Sequence, residues 1–263
     1  MKNINKNLLF KILFVIISIP VFYLIWKFNH RIFFIINGLS SNVFGYPMIF
    51  LSAMADGLFV IMISSAAYRK KKGYYWSFMI GYLVSNIIVN IIKNVYSTGR
   101  PLAYYSMDEI YYAGEILKFK SFPSGHAAAA MVLMRYLIQD AGNKLSILIV
   151  IFGVLSAVSR VYIGVHFPYD VIFGGYIGFF ITHGVFIYAK KRYNHSKRPE
   201  YKYNNLLISI CGLSAGIFYL FFNNDLYAPL SMLINIVALL FSLFFLYTIV
   251  VEFFTIYKSN TAS

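Results

Sequence analysis

Apolar residues run through this chain in stretches of about 20, the length that crosses a hydrocarbon core, parted by short polar or basic segments. The pattern predicts eight spans, at about 8–28, 43–67, 74–96, 122–141, 145–163, 168–189, 205–223 and 229–256. That is an all-α, polytopic transmembrane helix bundle. The first stretch is long enough to span and lacks a small-residue cleavage site, so it reads as a retained helix rather than a removed signal peptide. The best internal boundary is the polar, basic segment with Pro199. It divides a six-span core, 1–190, from a cytoplasmic linker, 191–204, and two additional helices with a short tail, 205–263.

Composition supports this reading. With 60% hydrophobic and only 12% charged residues, the chain is not a soluble domain. The net charge of +14 could point to nucleic acid. Its Lys and Arg fall in short clusters between spans, however, as topology signals do, so we expect no nucleic acid partner. These clusters are also placed to hold anionic headgroups. Lys2, Lys6, Lys11, Arg69 to Lys72, Lys144, Lys190 to Arg192, Lys197, Arg198, Lys202 and Lys258 all fall on one face if every span crosses. That face is then cytoplasmic and holds both termini, and His30 and Arg31 are the exceptions. Abundant Lys, Asn, Ile and Tyr fit an AT-rich bacterial coding sequence, hence a bacterial cytoplasmic membrane. The lone Cys211 excludes an intramolecular disulfide and a cysteine-based metal site. Nothing in the pattern calls for a cofactor or a metal, or fixes an oligomeric state.

The long external loop, 97–121, carries Tyr104, Tyr105, Tyr111 and Tyr112 among Asp108, Glu109 and Glu115. Two readings stay open: an amphipathic segment on the outer leaflet, or an ordered surface loop.

The loop ends in Ser121-Phe-Pro-Ser-Gly-His126. Pro123 pre-sets φ for a helix start, and Ser121 or Ser124 can cap it. Gly125 lets a ligand approach the backbone. A helix starting here points free N–H groups at an anion, with His126 beside it.

Ionisable residues near spans cost roughly 2.5–3.5 kcal/mol or more at mid-bilayer, so each needs a partner or a task. Lys93 and Arg100 close the third span and share one face if its helix persists. His126 opens the fourth span, Arg160 ends the fifth, His166 fills the next turn and Asp170 enters the sixth. The topology brings all six to one external level from four helices. Three cations, two histidines and a carboxylate suit a phosphate monoester or diphosphate. Lys93, Arg100 and Arg160 would neutralise phosphoryl oxygens, completed by the Ser124 hydroxyl and the backbone around Gly125. Asp170 would accept one N–H of His166 and leave its other nitrogen as nucleophile. His126 would protonate the leaving oxygen and then activate water.

Each residue also has a plainer reading. His166 alone would be an interfacial side chain, Asp170 a helix N-terminal carboxylate, and Lys93, Arg100 and Arg160 snorkelling cations. His30, His183 and His195 keep such plain readings. Asp56 is ambiguous and stays outside the catalytic set.

Together these residues resemble the type 2 phosphatidic acid phosphatase superfamily. Lys93, six residues, Arg100-Pro101 is its first motif; Pro123-Ser124-Gly125-His126 is its second; Ser159-Arg160, five residues, His166, three residues, Asp170 is its third. The resemblance covers roughly 80–180, and no motif position departs from it. It implies metal-independent dephosphorylation of membrane lipid phosphates through a phosphohistidine at His166. Bacterial members act on undecaprenyl diphosphate, phosphatidylglycerol phosphate, phosphatidic acid or lipid A. The same pattern occurs in vanadate-dependent haloperoxidases, which are soluble; the spans argue against them. A phosphotransferase using the same phosphohistidine and a non-catalytic lipid or anion transporter are the alternatives. The final two spans and the 97–121 loop lie outside the resemblance.

Overall fold

Helix follows helix through the computed structural model, which describes residues 18–40, 42–67, 74–193, 204–222 and 230–261. The helices are α1 (Ser18–Lys27), α2 (Asn29–Asn37), α3 (Asn42–Met54), α4 (Gly57–Ala67) and α5 (Tyr75–Tyr96). After the long loop come α6 (Gly125–Leu137), α7 (Asn143–Tyr162), α8 (Pro168–Tyr193), α9 (Asn204–Phe222) and α10 (Ser231–Thr261). No strand occurs among the described residues. On α5, Phe78, Gly81, Ser85 and Val89 are buried while Ile80, Leu83, Ile87 and Ile91 stand exposed. Such an apolar stripe would drive aggregation in water; in a bilayer it is the surface that meets lipid.

Among the described residues five helices are long and apolar enough to cross a membrane, and seven spans result if each of two bent helix pairs counts as one. Within this helix bundle the structure differs in shape from the expected stretches in three places. The 43–67 stretch is not one helix: α3 and α4 meet at a 73° bend around Asp56. What looked like an external loop from 29 to 42 is mostly α2, set at 75° to α1. The 122–141 span shrinks to the 13 residues of α6 and a 3-10 turn, Ile138–Asp140. At 1.5 Å per residue α6 is only about 20 Å long, well short of a hydrocarbon core.

Helix α6 sits at the centre, in contact with α4, α5, α7 and α8. Ala127, Ala128, Ala129 and Ala130 are all buried there. Gly174 and Gly178 of α8 face it so closely that a Cβ on either would run into the backbone carbonyl of Ser124 or Ala128. Association in lipid rests on packing rather than water release, and small residues let the backbones approach. Helices α9 and α10 pair with each other, and α9 lies along α4. Most of the expected linker, with His195 and Pro199, lies outside the described residues, as do the basic clusters at 2–11 and 69–72.

Candidate active site

Lys93 stands in the last turn of α5, which closes at Tyr96 with Ser97 in the left-handed region (φ 31°). The helix does not persist to Arg100. That residue is extended, at φ −86° and ψ 169°, ahead of the 3-10 turn Pro101–Ala103. The two cations are instead brought together by the far end of the loop. Arg100 N donates to Lys118 O at 2.8 Å and Ser121 N to Thr98 O at 3.0 Å, so 98–100 and 118–121 run side by side. Carbonyls of the second segment hold the side chains: Lys93 Nζ donates to Lys120 O at 3.0 Å, and Arg100 Nε to Phe119 O at 3.1 Å.

The Ser121–His126 stretch departs from expectation in one detail. Pro123, after a cis peptide bond, precedes the cap and is not in the first turn. Ser124 is the N-cap, and its hydroxyl accepts from Ala127 N at 3.4 Å. Its own N–H donates to Asp170 O at 2.9 Å, tying the start of α6 to the start of α8.

Arg160 ends α7, and its carbonyl accepts from both Val165 N and His166 N at 3.1 Å, closing the turn that carries His166. Gly164 in that turn has φ +78°, and a Cβ there would strike Tyr111 O. The Arg160 guanidinium bonds the Ser52 hydroxyl of α3. Arg100, Arg160, His166 and Asp170 are all buried, His166 to 1% exposure.

The expected His166–Asp170 hydrogen bond is not direct. His166 Nδ1 lies 3.6 Å from Asp170 Oδ2, within ion-pair reach but too far for a hydrogen bond. The Ser121 hydroxyl lies between them. It donates to Asp170 Oδ2 at 2.5 Å and stands 3.3 Å from His166 Nδ1. Phe167 N also donates to the same carboxylate oxygen, at 2.9 Å. Sequence reasoning saw Ser121 only as a possible cap. The signal it offered was a hydroxyl five residues ahead of His126, in a loop that must be buried to reach the site.

Burial, then the charges of Arg100, Lys93 and Arg160, hold the His166 imidazole well below its ordinary pKa. It is therefore neutral at pH 7. His126 faces a different carboxylate: its Nε2 is 3.7 Å from Asp56 Oδ2.

Lys93, Arg100, Gly125, His126, Arg160 and His166 line one cavity of about 190 Å³, walled above by Gly114, Glu115, Leu117 and Val165. A larger groove of about 680 Å³ lies on the Asp170 side among Trp26, Tyr96, Tyr104, Phe122, Phe167, Tyr169 and Phe173. Its lining holds none of the three cations. The loop is irregular chain with one 3-10 turn, Pro101–Ala103. Asn37 pins it: its Nδ2 donates to Tyr111 O and Tyr162 O at 2.8 Å, and its Oδ1 accepts from Tyr111 N at 3.0 Å. His30 stands 2.7 Å from the Tyr105 hydroxyl, and His183 accepts from Arg135 Nε at 3.1 Å; neither lines the cationic cavity.

A bundle of apolar helices with one end closed over a cationic cavity bearing two histidines defines a class of integral membrane protein built to hold an anion. The PAP2 superfamily model matches residues 74–194, the segment that carries all the residues of the cationic cavity. It is 27% identical over 157 residues to an undecaprenyl-diphosphatase of Sulfolobus acidocaldarius, covering 59% of this chain and 75% of the relative. It is 31% identical over 120 residues to phosphatidylglycerophosphatase B of Haemophilus influenzae, covering 38% and 50%. In fold it is similar to the crystal structure of Aquifex aeolicus LpxE, with a TM-score of 0.56 and 21% identity over 61% of this chain and 95% of that one.

Proposed function

We propose that this protein is an integral membrane phosphatase of lipid phosphates, working through a phosphohistidine on His166. The observation that carries this reading is the buried His166, held through Nδ1 on the Ser121–Asp170 side, in a cavity with three cations. Its Nε2 is then the nitrogen for phosphorus. In the first step an Nε2–P bond forms and the P–O bond to the lipid breaks, with His126 giving the leaving oxygen its proton. In the second, His126 takes a proton from water, the water oxygen bonds phosphorus, and the P–N bond breaks to release phosphate. Lys93, Arg100 and Arg160 neutralise the equatorial oxygens throughout, with the Ser124 hydroxyl and the α6 N-terminus as further donors.

Undecaprenyl diphosphate and phosphatidylglycerol phosphate are the first substrates to try, because the similar proteins are named for them. The site faces the outside of a bacterial cytoplasmic membrane if the basic clusters mark the cytoplasmic face. The test is phosphate release in detergent, with chelator, from these two lipids, phosphatidic acid and lipid A. Release by wild type and not by His166→Ala is expected. Release that persists in His166→Ala would refute the nucleophile. No release from any lipid by well-folded protein would favour a transferase or a transporter.

A further inference from the structure

An imidazolium is costly in this cavity. Burial, then the charges of Arg160 on α7, Lys93 on α5 and Arg100 in the loop, hold His126 well below the ordinary imidazole pKa, and His166 lines the same cavity. Asp170 is engaged by Ser121 and Phe167, and Glu115 stands in the opposite wall. A group that must hand a proton to a leaving oxygen needs a negative charge of its own. The break between α3 and α4 supplies one. The 73° bend sets Asp56 with Oδ2 3.7 Å from His126 Nε2. Oδ1 accepts from Leu58 N at 2.9 Å, which fixes the carboxylate at the start of α4. One turn earlier Ser52 meets Arg160, so the broken helix reaches the site at two points.

We propose that Asp56 is the counter-ion of His126, a positioning residue that orients this imidazole and stabilises its positive charge when it serves as the acid for the leaving group. The inference rests on the phosphatase reading above. The proton passes from His126 to the leaving oxygen as the P–O bond breaks and returns from water as the P–N bond breaks, and Asp56 takes no part in either transfer. The competing explanation is that Asp56 only caps α4.

Asp56→Asn separates the two, because an amide oxygen still accepts from Leu58 N while the charge is lost. The readout is kcat/KM, which reports the first transfer, on phosphatidic acid and on p-nitrophenyl phosphate. The first expels an alkoxide that needs a proton; the second expels a phenolate that does not. We expect a fall of tenfold or more on phosphatidic acid and less than about threefold on the aryl ester. An opposite charge within about 4–6 Å favours the protonated form by one unit or more, so the alkaline limb for phosphatidic acid moves to lower pH in the variant. The variant His126→Ala should lose nothing further when Asp56→Asn is added. An unchanged rate on phosphatidic acid, or an equal loss on both esters, would overturn the proposal. Should Asp56→Asn fail to fold, Asp56→Ser, which also caps, decides by the same comparison. Wild type inert on both esters and on all the lipids above would overturn the phosphatase reading and this proposal with it.

Discussion

The Ser121 hydroxyl stands 2.5 Å from Asp170 Oδ2 and 3.3 Å from His166 Nδ1, so carboxylate and imidazole meet through a third side chain. The order Nδ1–H to Oγ, then Oγ–H to Oδ2, satisfies all three groups and fixes the His166 tautomer. Ser121→Ala leaves Nδ1 without that partner inside the protein. Losing such a buried hydrogen bond costs about 1–3 kcal/mol. We expect kcat to fall about tenfold with KM little changed, and Ser121→Thr to recover part of the loss. Steady-state kinetics on one lipid phosphate would decide. Equal kcat in Ser121→Ala and wild type would leave Asp170 acting on His166 directly.

The depressed pKa of His166 has a direct consequence for pH. The neutral form is the nucleophile, and it persists below the ordinary imidazole value of about 6.5. Activity should hold as pH falls through 6.5 and decline only as it passes the lower, folded-state value. Stability follows the same sign. Below about 6.5 the unfolded chain binds a proton that the folded site refuses, so His166 opposes folding there and not above. A pH–rate profile with thermal melts at each pH would check both. An acidic limb at 6.5 or higher would contradict the burial argument.

Gly174 and Gly178 set the distance between α6 and α8, and with it the distance from Ser124 to Asp170. Gly174→Ala should force the helices apart at a cost of about 1–3 kcal/mol and reduce activity with it. Gly184 lies on the same helix with open space around its Cβ position. Gly184→Ala should leave activity unchanged and raise the melting temperature slightly, since alanine favours helix by roughly 0.5–1 kcal/mol. A melt of each variant in detergent makes the comparison.

Asn37 makes three hydrogen bonds that join α2, the loop and the end of α7. Asn37→Ala should release the stretch that carries Gly114 and Glu115 over the cavity. Faster proteolysis between 104 and 120 and a lower kcat/KM are expected, with a stability loss of about 1–3 kcal/mol. Proteolysis at the wild-type rate would show that the loop holds itself.

Much of this was legible in the sequence, for physical reasons. Lys93, Arg100, His126, Arg160, His166 and Asp170 could be grouped because charge near lipid needs a partner and the spans alternate in direction. The long apolar runs announced α5 and α7 to α10, since length and hydropathy follow directly from the bilayer. The bends were not legible. Asn42–Ala67 is apolar on both sides of its break, and only the Asp56-Gly57 step, too short to divide a hydropathy window, marks the place. Helix α6 read as a span because its apolar neighbours extend the run, although its buried face meets protein on many sides. Ser121 escaped for a different reason. Its role depends on a contact 49 residues away in sequence, which local pattern does not encode.

The pairing of 98–100 with 118–121 gives the loop between them a neck. Everything that holds Lys93 and Arg100 from this side lies at or below that neck, in the carbonyls of Lys118, Phe119 and Lys120. The chain is tied a second time where Asn37 holds Tyr111 and Ala113 N donates to Ile163 O at 3.0 Å. The roof residues Gly114, Glu115 and Leu117 are the short stretch between those two ties, so substitutions there can change what the cavity admits while the ties keep its floor in place.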